Sequence, residues 1–464
     1  MSKVINEILK TKIRDSIDVV VCGGGAAGIT AALAAARMGM KIILIESYGF
    51  LGGVNTAAGV NGLGGWQFDL NGKPLIGGIP MEIMEEHAKD TGQGMEMIRY
   101  LTTPVKKPDY TSGGLGCFWF RTNPEYMKIT LDKMIEKAKV KVIYHASAVA
   151  PIMNNNTIKG VFIESKSGRE AILAKIVIDC TGDGDIAARA GAAFDMGRPG
   201  DGICQPMTMI FTVGSADIRN LFLGNSKNST LTKDRYKGAV RLARKRKEII
   251  LNPNDIFCAA TELDEKNPAV RSVNFTRIQK VDATNVDELT KAEITGRKQV
   301  VEAIRFMNKY MFDGKDAYLI SIPPQIGIRE SRRIKGEYTL TEKDIKGGAR
   351  FKDAIARGIY LIDTHNRTEI GKASDLILLK QPYDIPYRCL VPLEIENILV
   401  AGRCISGDST ALSSYRIISH CMAMGEAAGT AAALAIRRNK RIRNVDTCEL
   451  QQQLIKNGAN VGPL

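Results

Sequence analysis

Residues 17–46 decide the fold, and they read IDVVVCGGGAAGITAALAAARMGMKIILIE. The run at 17–22 is apolar and rich in β-branched residues, which predicts a buried parallel strand. The Ala-rich segment that follows predicts a helix to about Met38, with Gly39 suited to its C-terminal cap. The run at 41–46 predicts a second buried strand. Strand, helix and strand within about 30 residues make one βαβ unit.

The turn between the first strand and the helix has the spacing G-x-G-x-x-G. Gly25 lets a pyrophosphate approach the backbone, and Gly28 lets the helix pack closely on the sheet. The phosphates would then lie over the free N–H groups of the helix N-terminus. Glu46 ends the second strand, 18 positions after Gly28, where its carboxylate can accept both ribose hydroxyls. The turn therefore predicts a dinucleotide site that includes Gly23, Gly25, Ala26, Ala27 and Gly28.

Three later segments favour FAD over NAD as the dinucleotide. They are LGGVNTAAG at 51–59, VIDCTGDGD at 177–185 and VAGRCISGDSTA at 400–411, and a long helix is predicted after the last. In FAD proteins an aspartate such as Asp408 contacts the ribitol or the pyrophosphate bridge. The positive end of the next helix then faces the flavin N1–C2=O edge. The further residues predicted to contact FAD are Ser47, Gly52, Gly53, Val54, Ala148, Thr181, Gly182, Asp183, Gly402, Asp408 and Ala411.

Together with further blocks, these segments resemble the FAD-dependent oxidoreductases with a glutathione-reductase-like FAD-binding fold, in a broad bacterial subgroup. The further blocks are PQIGIRESRRIKGEYTLT (324–341), IDTHN (362–366), YDIPYRCLVP (383–392) and CMAMGEAAGTAAALA (421–435). The resemblance spans nearly the whole chain. It implies FAD, a two-domain flavoprotein and redox chemistry, and little about the substrate. From the FAD motifs and the arginine-rich inserted segment we expect hydride transfer between flavin N5 and a small, anionic or polyhydroxylated organic substrate. A flavin electron-transfer component of a larger redox complex and a non-redox use of FAD remain as alternatives.

The change of sequence texture along the chain predicts an α/β fold with a discontinuous Rossmann-type domain. Residues 1–196 and 388–464 are expected to form the FAD-binding domain around a parallel sheet. Residues 197–387 mix alternating strand patterns with long polar helices, which predicts an inserted α+β substrate domain.

The substrate site is expected where the inserted domain faces the flavin. On a strand at 328–333 (IRESRR), Arg329 and Arg333 would point the same way and could clamp a carboxylate or phosphate. A structural ion-pair network around the adjacent glutamate is the alternative. His365 and His420 are acid–base candidates because a histidine pKa lies near the working pH, although a structural role is open for each. The predicted catalytic residues are therefore Arg329, Arg333, His365 and His420, with Asn274 and Arg277 as weaker candidates.

The amino-acid composition indicates which classes of binding partner are expected. The chain has 64 Lys and Arg against 50 Asp and Glu, a net charge of +14, which favours anionic partners. No basic stretch interleaved with aromatic residues suggests nucleic acid. Nine cysteines without a CxxC pair indicate reduced thiols, no metal site and a cytoplasmic protein. No apolar run has the ~20 residues of a membrane span. The expected partners are a small anionic substrate and an unidentified electron donor or acceptor. Covalent flavin attachment and the oligomeric state stay open.

Overall fold

The computed structural model describes residues 5, 7–68, 73–102, 118–214, 233–251, 259–263, 267, 269–310, 317–369 and 374–462. Its strands are β1 (Lys12–Cys22), β2 (Ile42–Ile45), β3 (Gly62–Trp66), β4 (Phe118–Arg121), β5 (Lys141–Ile143), β6 (Ala146–Asn154), β7 (Thr157–Ser165), β8 (Gly168–Asp179), β9 (Phe194–Met196), β10 (Phe211–Gly214), β11 (Ala259–Glu262), β12 (Val270–Asn274), β13 (Tyr318–Ser321), β14 (Arg332–Ile334), β15 (Ala354–Gly358), β16 (Ile362–His365), β17 (Ser374–Ile377), β18 (Tyr383–Pro386) and β19 (Ile398–Val400). Its helices are α1 (Ala26–Arg37), α2 (Gly78–Thr91), α3 (Met95–Thr102), α4 (Pro124–Lys137), α5 (Asp185–Arg189), α6 (Lys233–Lys245), α7 (Val286–Tyr310), α8 (Glu342–Gly347), α9 (Ser409–Tyr415), α10 (Ile418–Arg437) and α11 (Thr447–Lys456). Short 3₁₀ helices lie at Tyr387–Leu390 and Ile442–Asn444.

The βαβ unit predicted from residues 17–46 is confirmed as β1, α1 and β2. β1 pairs in parallel with β2 on one side and with β8 on the other, so that Val20 lies opposite Ile43 and Val177. The end of β1 is completely buried from Val19 to Cys22. A continuous apolar run is what a parallel strand covered on both faces requires.

The central sheet joins the two ends of the chain, which confirms the discontinuous domain. Its order is β5-β2-β1-β8-β7-β6. The long strand β8 has two neighbours along one edge. Its first half pairs antiparallel with β7, and residues 177–179 pair in parallel with β19. The C-terminal strand therefore brings the loop after Val400 to the same sheet edge as the turn after Cys22.

The inserted part has its own sheet and its own core. Its sheet runs β11-β12-β10-β13 and is antiparallel throughout. Strands and helices of this part share a hydrophobic core that extends from Met207 to Ile326 and includes Phe211, Phe275 and Phe306. This agrees with the predicted α+β insertion.

The two hydrophobic cores divide the chain at a different place from the predicted end of the insertion at residue 387. Leu340, Ile355, Tyr383 and other apolar residues after Ile334 belong to the core of the central sheet. The reason is that β15 pairs with β18 and packs against α10.

Two predicted elements differ locally. The long helix predicted from Ser414 is two helices, α9 and α10, because Ile417 between them has extended backbone angles (φ −66°, ψ 143°). The strand predicted at 328–333 is shorter, since only β14 is regular. Within the part of the chain that the structure describes, no helix is long and apolar enough to cross a membrane.

Candidate functional site

A cavity of about 580 Å³ lies outside the carboxyl ends of the parallel strands. Ligands of open α/β sheets bind at this edge. One end of the cavity is lined by loops that follow β1, β2, β8 and β19, and the other end by residues of the inserted part. The predicted site residues that line it are Gly23, Gly25, Ala26, Ala27, Glu46, Ser47, Gly53, Val54, Ala148, Thr181, Gly182, Asp183, Gly402, Arg329 and His365.

Glycine backbones meet at the start of α1. Gly25 precedes the first turn of the helix and has no side chain to cap it. A Cβ on Gly53 would lie 2.8 Å from the Cα of Gly25, and a Cβ on Gly28 would overlap the carbonyl oxygen of Gly23. The first N–H groups of α1 are therefore accessible from the cavity, as a pyrophosphate requires. Gly28 does not line the cavity but lets the helix lie against the turn.

Glu46 presents a nearly buried carboxylate at this end of the cavity. One oxygen accepts a hydrogen bond from the backbone of Gly24 at 2.7 Å, and the other accepts one from Tyr48 at 2.9 Å. The backbone thus fixes the carboxylate at the end of β2. A carboxylate held in this position can accept hydroxyl groups of a ribose.

An ion pair joins the loop that follows β8 to the loop that follows β19. Asp183 is paired with Arg403 and also accepts a hydrogen bond from Ser331. Arg403 donates a further bond to the carbonyl of Ile328 at 3.0 Å. Asp183 and Arg403 both line the cavity. Sequence reasoning predicted Asp183 but not its partner.

Asp408 and Ala411 lie outside the cavity lining. The Asp408 carboxylate accepts bonds from the backbones of Thr410 at 2.9 Å and Ala411 at 2.7 Å, and so caps α9. Its other oxygen accepts a hydrogen bond from the backbone N–H of Glu342 at 2.6 Å. Gly52 is also behind the lining, with its N–H bonded to the carbonyl of Gly24 at 2.9 Å. These residues support the loops that form the cavity.

The helix that begins at the cavity is α10, because the predicted long helix is interrupted at Ile417. Arg416, Ile417, Ile418 and Cys421 line the cavity. Ile417 is the N-cap residue, and its apolar side chain cannot accept from the free N–H groups of the first turn. The sequence predicted that the positive helix N-terminus at the cavity lies near Asp408. In the structure, the helix N-terminus that lines the cavity is at Ile418.

Elsewhere in the same cavity, Arg329 and His365 lie close to Asp363. Arg329 donates to the carbonyl of Pro206 at 2.7 Å and to Thr208 Oγ1 at 2.6 Å. His365 Nε2 is 3.2 Å from Asp363 Oδ2, and its Nδ1 is 2.9 Å from Ser374 Oγ. Because β16 and β17 pair His365 with Ser374, the hairpin itself sets the second contact.

The charge states of this pair follow from its surroundings. Burial, followed by the positive charge of Arg329, lowers the pKa of His365 to about 3, so the imidazole is neutral at pH 7. Burial opposes ionisation of Asp363, but His365, Arg416 and Arg329 outweigh it and hold the pKa of this carboxyl well below its ordinary value. The pair is therefore a carboxylate and a neutral imidazole.

Arginine side chains surround Asp363. Arg416 Nη2 lies 3.2 Å from the carbonyl oxygen and 3.5 Å from Oδ2 of Asp363. Its Nε is buried and has no hydrogen-bond partner among the residues that the structure describes. Arg277, which does not line the cavity, donates to Asn274 Oδ1 at 2.7 Å. Burial, Arg277 and Arg416 lower the pKa of Arg329. We refer to Arg277, Arg329, Asp363, His365 and Arg416 as the arginine end.

Arg333 and His420 do not reach the cavity. Arg333 is 4% exposed and donates to Glu330 at 2.8 Å and to the carbonyls of Gly197 and Gly407 at 2.8 and 3.0 Å. Arg333 therefore belongs to a structural ion-pair network, which was the alternative to a substrate-binding role in the sequence prediction. His420 is completely buried with its ring edge-on to Tyr383, and burial lowers its pKa to about 4.

Several lining residues were not among the predicted site residues: Trp119, Tyr360, Asp363, Arg403 and Arg416. Asp363 had a signal in the sequence, since it stands two positions before His365. The position of Arg416 at the cavity follows from the interruption between α9 and α10, which the sequence did not predict. Trp119 belongs to β4, which reaches the cavity by pairing with β3.

The fold and the cavity define a class: a protein with a Rossmann-type dinucleotide domain and an inserted part that contributes residues to the same cavity. A family model described as FAD dependent oxidoreductase matches residues 18–454, and the chain belongs to this family. Its cofactor is FAD, and it is an enzyme. The glycine backbones at α1, the fixed Glu46 carboxylate and the free start of α10 fit the pyrophosphate, ribose and flavin ring of FAD, respectively.

Solved structures with similar folds are distant in sequence. A geranylgeranyl bacteriochlorophyll reductase-like protein from Thermoplasma acidophilum is 14% identical, with 95% of this chain and 83% of that chain covered and a TM-score of 0.44. L-proline dehydrogenase from P. horikoshii is 14% identical, with 97% and 99% covered and a TM-score of 0.41. p-Nitrophenol 4-monooxygenase from Pseudomonas putida is 10% identical, with 96% and 85% covered and a TM-score of 0.45. A comparison with curated proteins gave no significant match.

Proposed function

We propose that the enzyme catalyses hydride transfer between FAD and a small organic anion bound at the arginine end. The observation that carries the proposal is the excess of positive charge there. Arg329 and Arg416 both line the cavity, and Asp363 is the carboxylate beside them. Buried charges of one sign are unfavourable until a partner neutralises them. A substrate carboxylate would supply the missing negative charge.

Arg416 and Arg329 have separate roles in this proposal. Arg416 has a buried Nε without a partner among the described residues, so it can donate to an added carboxylate at no cost to an existing bond. Arg329 is held by Pro206 and Thr208, which fixes the direction of its guanidinium group. Two guanidinium groups of fixed direction can orient an acid in one way.

Asp363 is the residue that we assign to orienting a substrate hydroxyl or amine, and His365 is its positioning partner. FAD, when bound, supplies the site that accepts or donates the hydride. The neutral imidazole donates from Nε2 to Asp363 Oδ2 and accepts at Nδ1 from the hydroxyl of Ser374. Asp363 Oδ1 can then accept a hydrogen bond from a substrate hydroxyl or amine. This role differs from the one expected from the sequence, in which the histidine was the acid–base group.

Anaerobic titration of the purified holoenzyme tests the proposal. Hydroxy acids, amino acids and unsaturated acids are compared with neutral alcohols and sugars, and the flavin absorbance is followed. We expect acids, and not their neutral counterparts, to perturb or bleach the flavin. Arg416→Met is expected to raise the Kd of these acids by tenfold or more, the loss of one or more charge-assisted hydrogen bonds.

Two controls make the result specific. Arg438→Met removes an exposed arginine that pairs with Glu449 on the surface, and it should leave acid binding unchanged. The FAD content of Arg416→Met should equal that of the wild type. Bleaching by neutral compounds alone, or acid affinities that do not change in Arg416→Met, would contradict the proposal.

A further inference from the structure

We infer that the substrate acid carries an aromatic ring, and that Trp119 and Tyr360 hold this ring. The inference rests on the proposed function, because it assumes that the arginine end binds the carboxylate. Trp119 and Tyr360 both line the cavity. Their rings lie 6.1 Å apart and nearly perpendicular, at 73°. We refer to these two side chains as the aromatic pair.

Trp119 is held in place by a close approach to the backbone of β3. Its indole ring lies over Gly64, where a Cβ would come within 3.2 Å of three indole carbon atoms. Tyr360 contacts the ring from another direction. Even so, Trp119 remains 43% exposed. Ligand cavities are lined mainly by apolar and aromatic side chains, and aromatic rings pack favourably on one another, so this exposed indole can cover an aromatic ring of a ligand.

The aromatic pair is close to the arginine end because both are attached to the junction of α9 and α10. The carbonyl of Gly64, beneath Trp119, accepts a bond from Ser419 at 2.9 Å. The carbonyl of Tyr360 accepts one from Ser414 at 2.5 Å. Arg416 lies between these two serines in the sequence. A ring on the aromatic pair would therefore have its carboxylate within reach of the same junction.

The rest of this region suits an apolar ring with a charged substituent. Ile210 and Ile328 also line the cavity, as do Thr208 and Asn274, which can form hydrogen bonds. An aromatic acid would match both parts. A small aliphatic acid would neutralise the arginine end but leave Trp119 uncovered.

Intrinsic fluorescence can report binding at the aromatic pair. The chain has two tryptophans, and Trp66 is 1% exposed in the hydrophobic core. The holoenzyme is titrated with benzoate, acetate and benzyl alcohol, and both fluorescence and flavin absorbance are followed. We expect benzoate to bind about tenfold more tightly than acetate, equivalent to about 1.4 kcal/mol, and to change the emission of Trp119.

Three variants separate the contributions of the ring and the carboxylate. Trp119→Leu should bring the Kd of benzoate to that of acetate, and the Kd of acetate should not change. Trp119→Phe should keep most of the preference and lose the fluorescence signal. Tyr360→Leu, which leaves Trp119 in place, should weaken benzoate and not acetate.

The possible failures can be told apart. If benzoate binds no more tightly than acetate to the wild type, or if Trp119→Leu weakens both acids equally, the aromatic inference is overturned while the anion site stands. If Trp119→Leu lowers the affinity for FAD but keeps the preference for benzoate, the indole covers the flavin ring and the inference is again overturned. If no carboxylate binds, the proposed function fails as well.

Discussion

Buried arginines of this protein serve two different purposes, and their partners distinguish them. Arg333 uses its guanidinium group on Glu330, Gly197 and Gly407. Glu330 is also paired with a second buried arginine, Arg367, at 2.8 Å. This network holds residues from four parts of the chain together. Arg416, by contrast, lines the cavity and has there a buried Nε donor without a partner among the described residues.

Substitution by methionine should separate these two purposes. Arg333→Met leaves Glu330 with one guanidinium partner fewer in a buried site, so we expect the free energy of unfolding to fall by roughly 3 kcal/mol. Chemical denaturation measures this loss. The affinity of the folded variant for substrate acids should stay near the wild-type value. Arg416→Met should show the opposite pattern, with weaker acid binding and the smaller loss of stability. Equal effects of both variants on acid affinity would refute the distinction.

The sequence could predict some of these residues and not others, for a physical reason. Gly25, Gly28 and Glu46 act through local geometry, so their spacing within one βαβ unit is sufficient. Arg329 and Arg333 have the same residue type in the same segment, and their different surroundings come from residues more than 70 positions away in the chain. Trp119 gains its place only when β4 pairs with β3. Such long-range contacts leave no local pattern.

Among the elements, α10 shows why an accurate helix prediction can still misplace a site. The apolar and small residues that follow Ser414 predicted a helix, and most of that segment is helical. The break at Ile417 was not predicted, because isoleucine is common within helices and no Gly or Pro marks the position. Yet this break exposes the N-terminus of α10 to the cavity and places Arg416 beside Asp363. Asp408 caps the N-terminus of α9, the helix before the interruption, and not that of α10.

A buried carboxyl on α10 also supports another helix. Glu426 accepts a hydrogen bond from the backbone of Ile79 at 3.1 Å, in the first turn of α2. Gly77, the N-cap residue of α2, has no side chain for this purpose. Burial raises the pKa of Glu426 to about 8 from the ordinary 4.5. The folded protein therefore holds this proton at pH 7, while the unfolded chain releases it.

This proton makes stability depend on pH in a defined direction. Between pH 4.5 and about 8 the folded state binds one proton more than the unfolded state, so the contribution of Glu426 is complete below pH 4.5 and is lost as pH rises through 8. Glu426→Gln keeps an acceptor and removes the titration. We expect the free energy of unfolding of the variant, relative to the wild type, to increase by about 1 kcal/mol per pH unit from about pH 5.5 to about pH 7.5. Denaturation at several pH values measures it. A difference that is the same at every pH would show that Glu426 is ionised in the folded state.

In the whole molecule, the two ends of the chain meet through α1 and α10. Thr30 Oγ1 donates to the carbonyl of Met422 at 2.7 Å, across 392 positions of sequence. The helices approach closely because Gly425 and Gly429 face α1, where a Cβ on Gly429 would overlap the carbonyl oxygen of Ala31. The N-terminal turns of both helices line the cavity. Correct packing of α10 on α1 should therefore determine both stability and FAD binding.

Gly429→Ala tests this coupling. The added methyl group must push α10 away from α1, and overpacking of this kind costs about 1–3 kcal/mol of unfolding free energy. Because α1 and α10 both start at the cavity, we also expect weaker FAD binding, measured by the flavin retained after gel filtration. Gly238→Ala is the matched control, since Gly238 lies on an exposed face of α6 and a Cβ there meets no atom within 4 Å. That substitution should raise stability by about 0.5–1 kcal/mol, as alanine favours a helix over glycine, and leave FAD content unchanged. If Gly429→Ala lost stability but kept full FAD affinity, the position of α10 on α1 would not control the cofactor site.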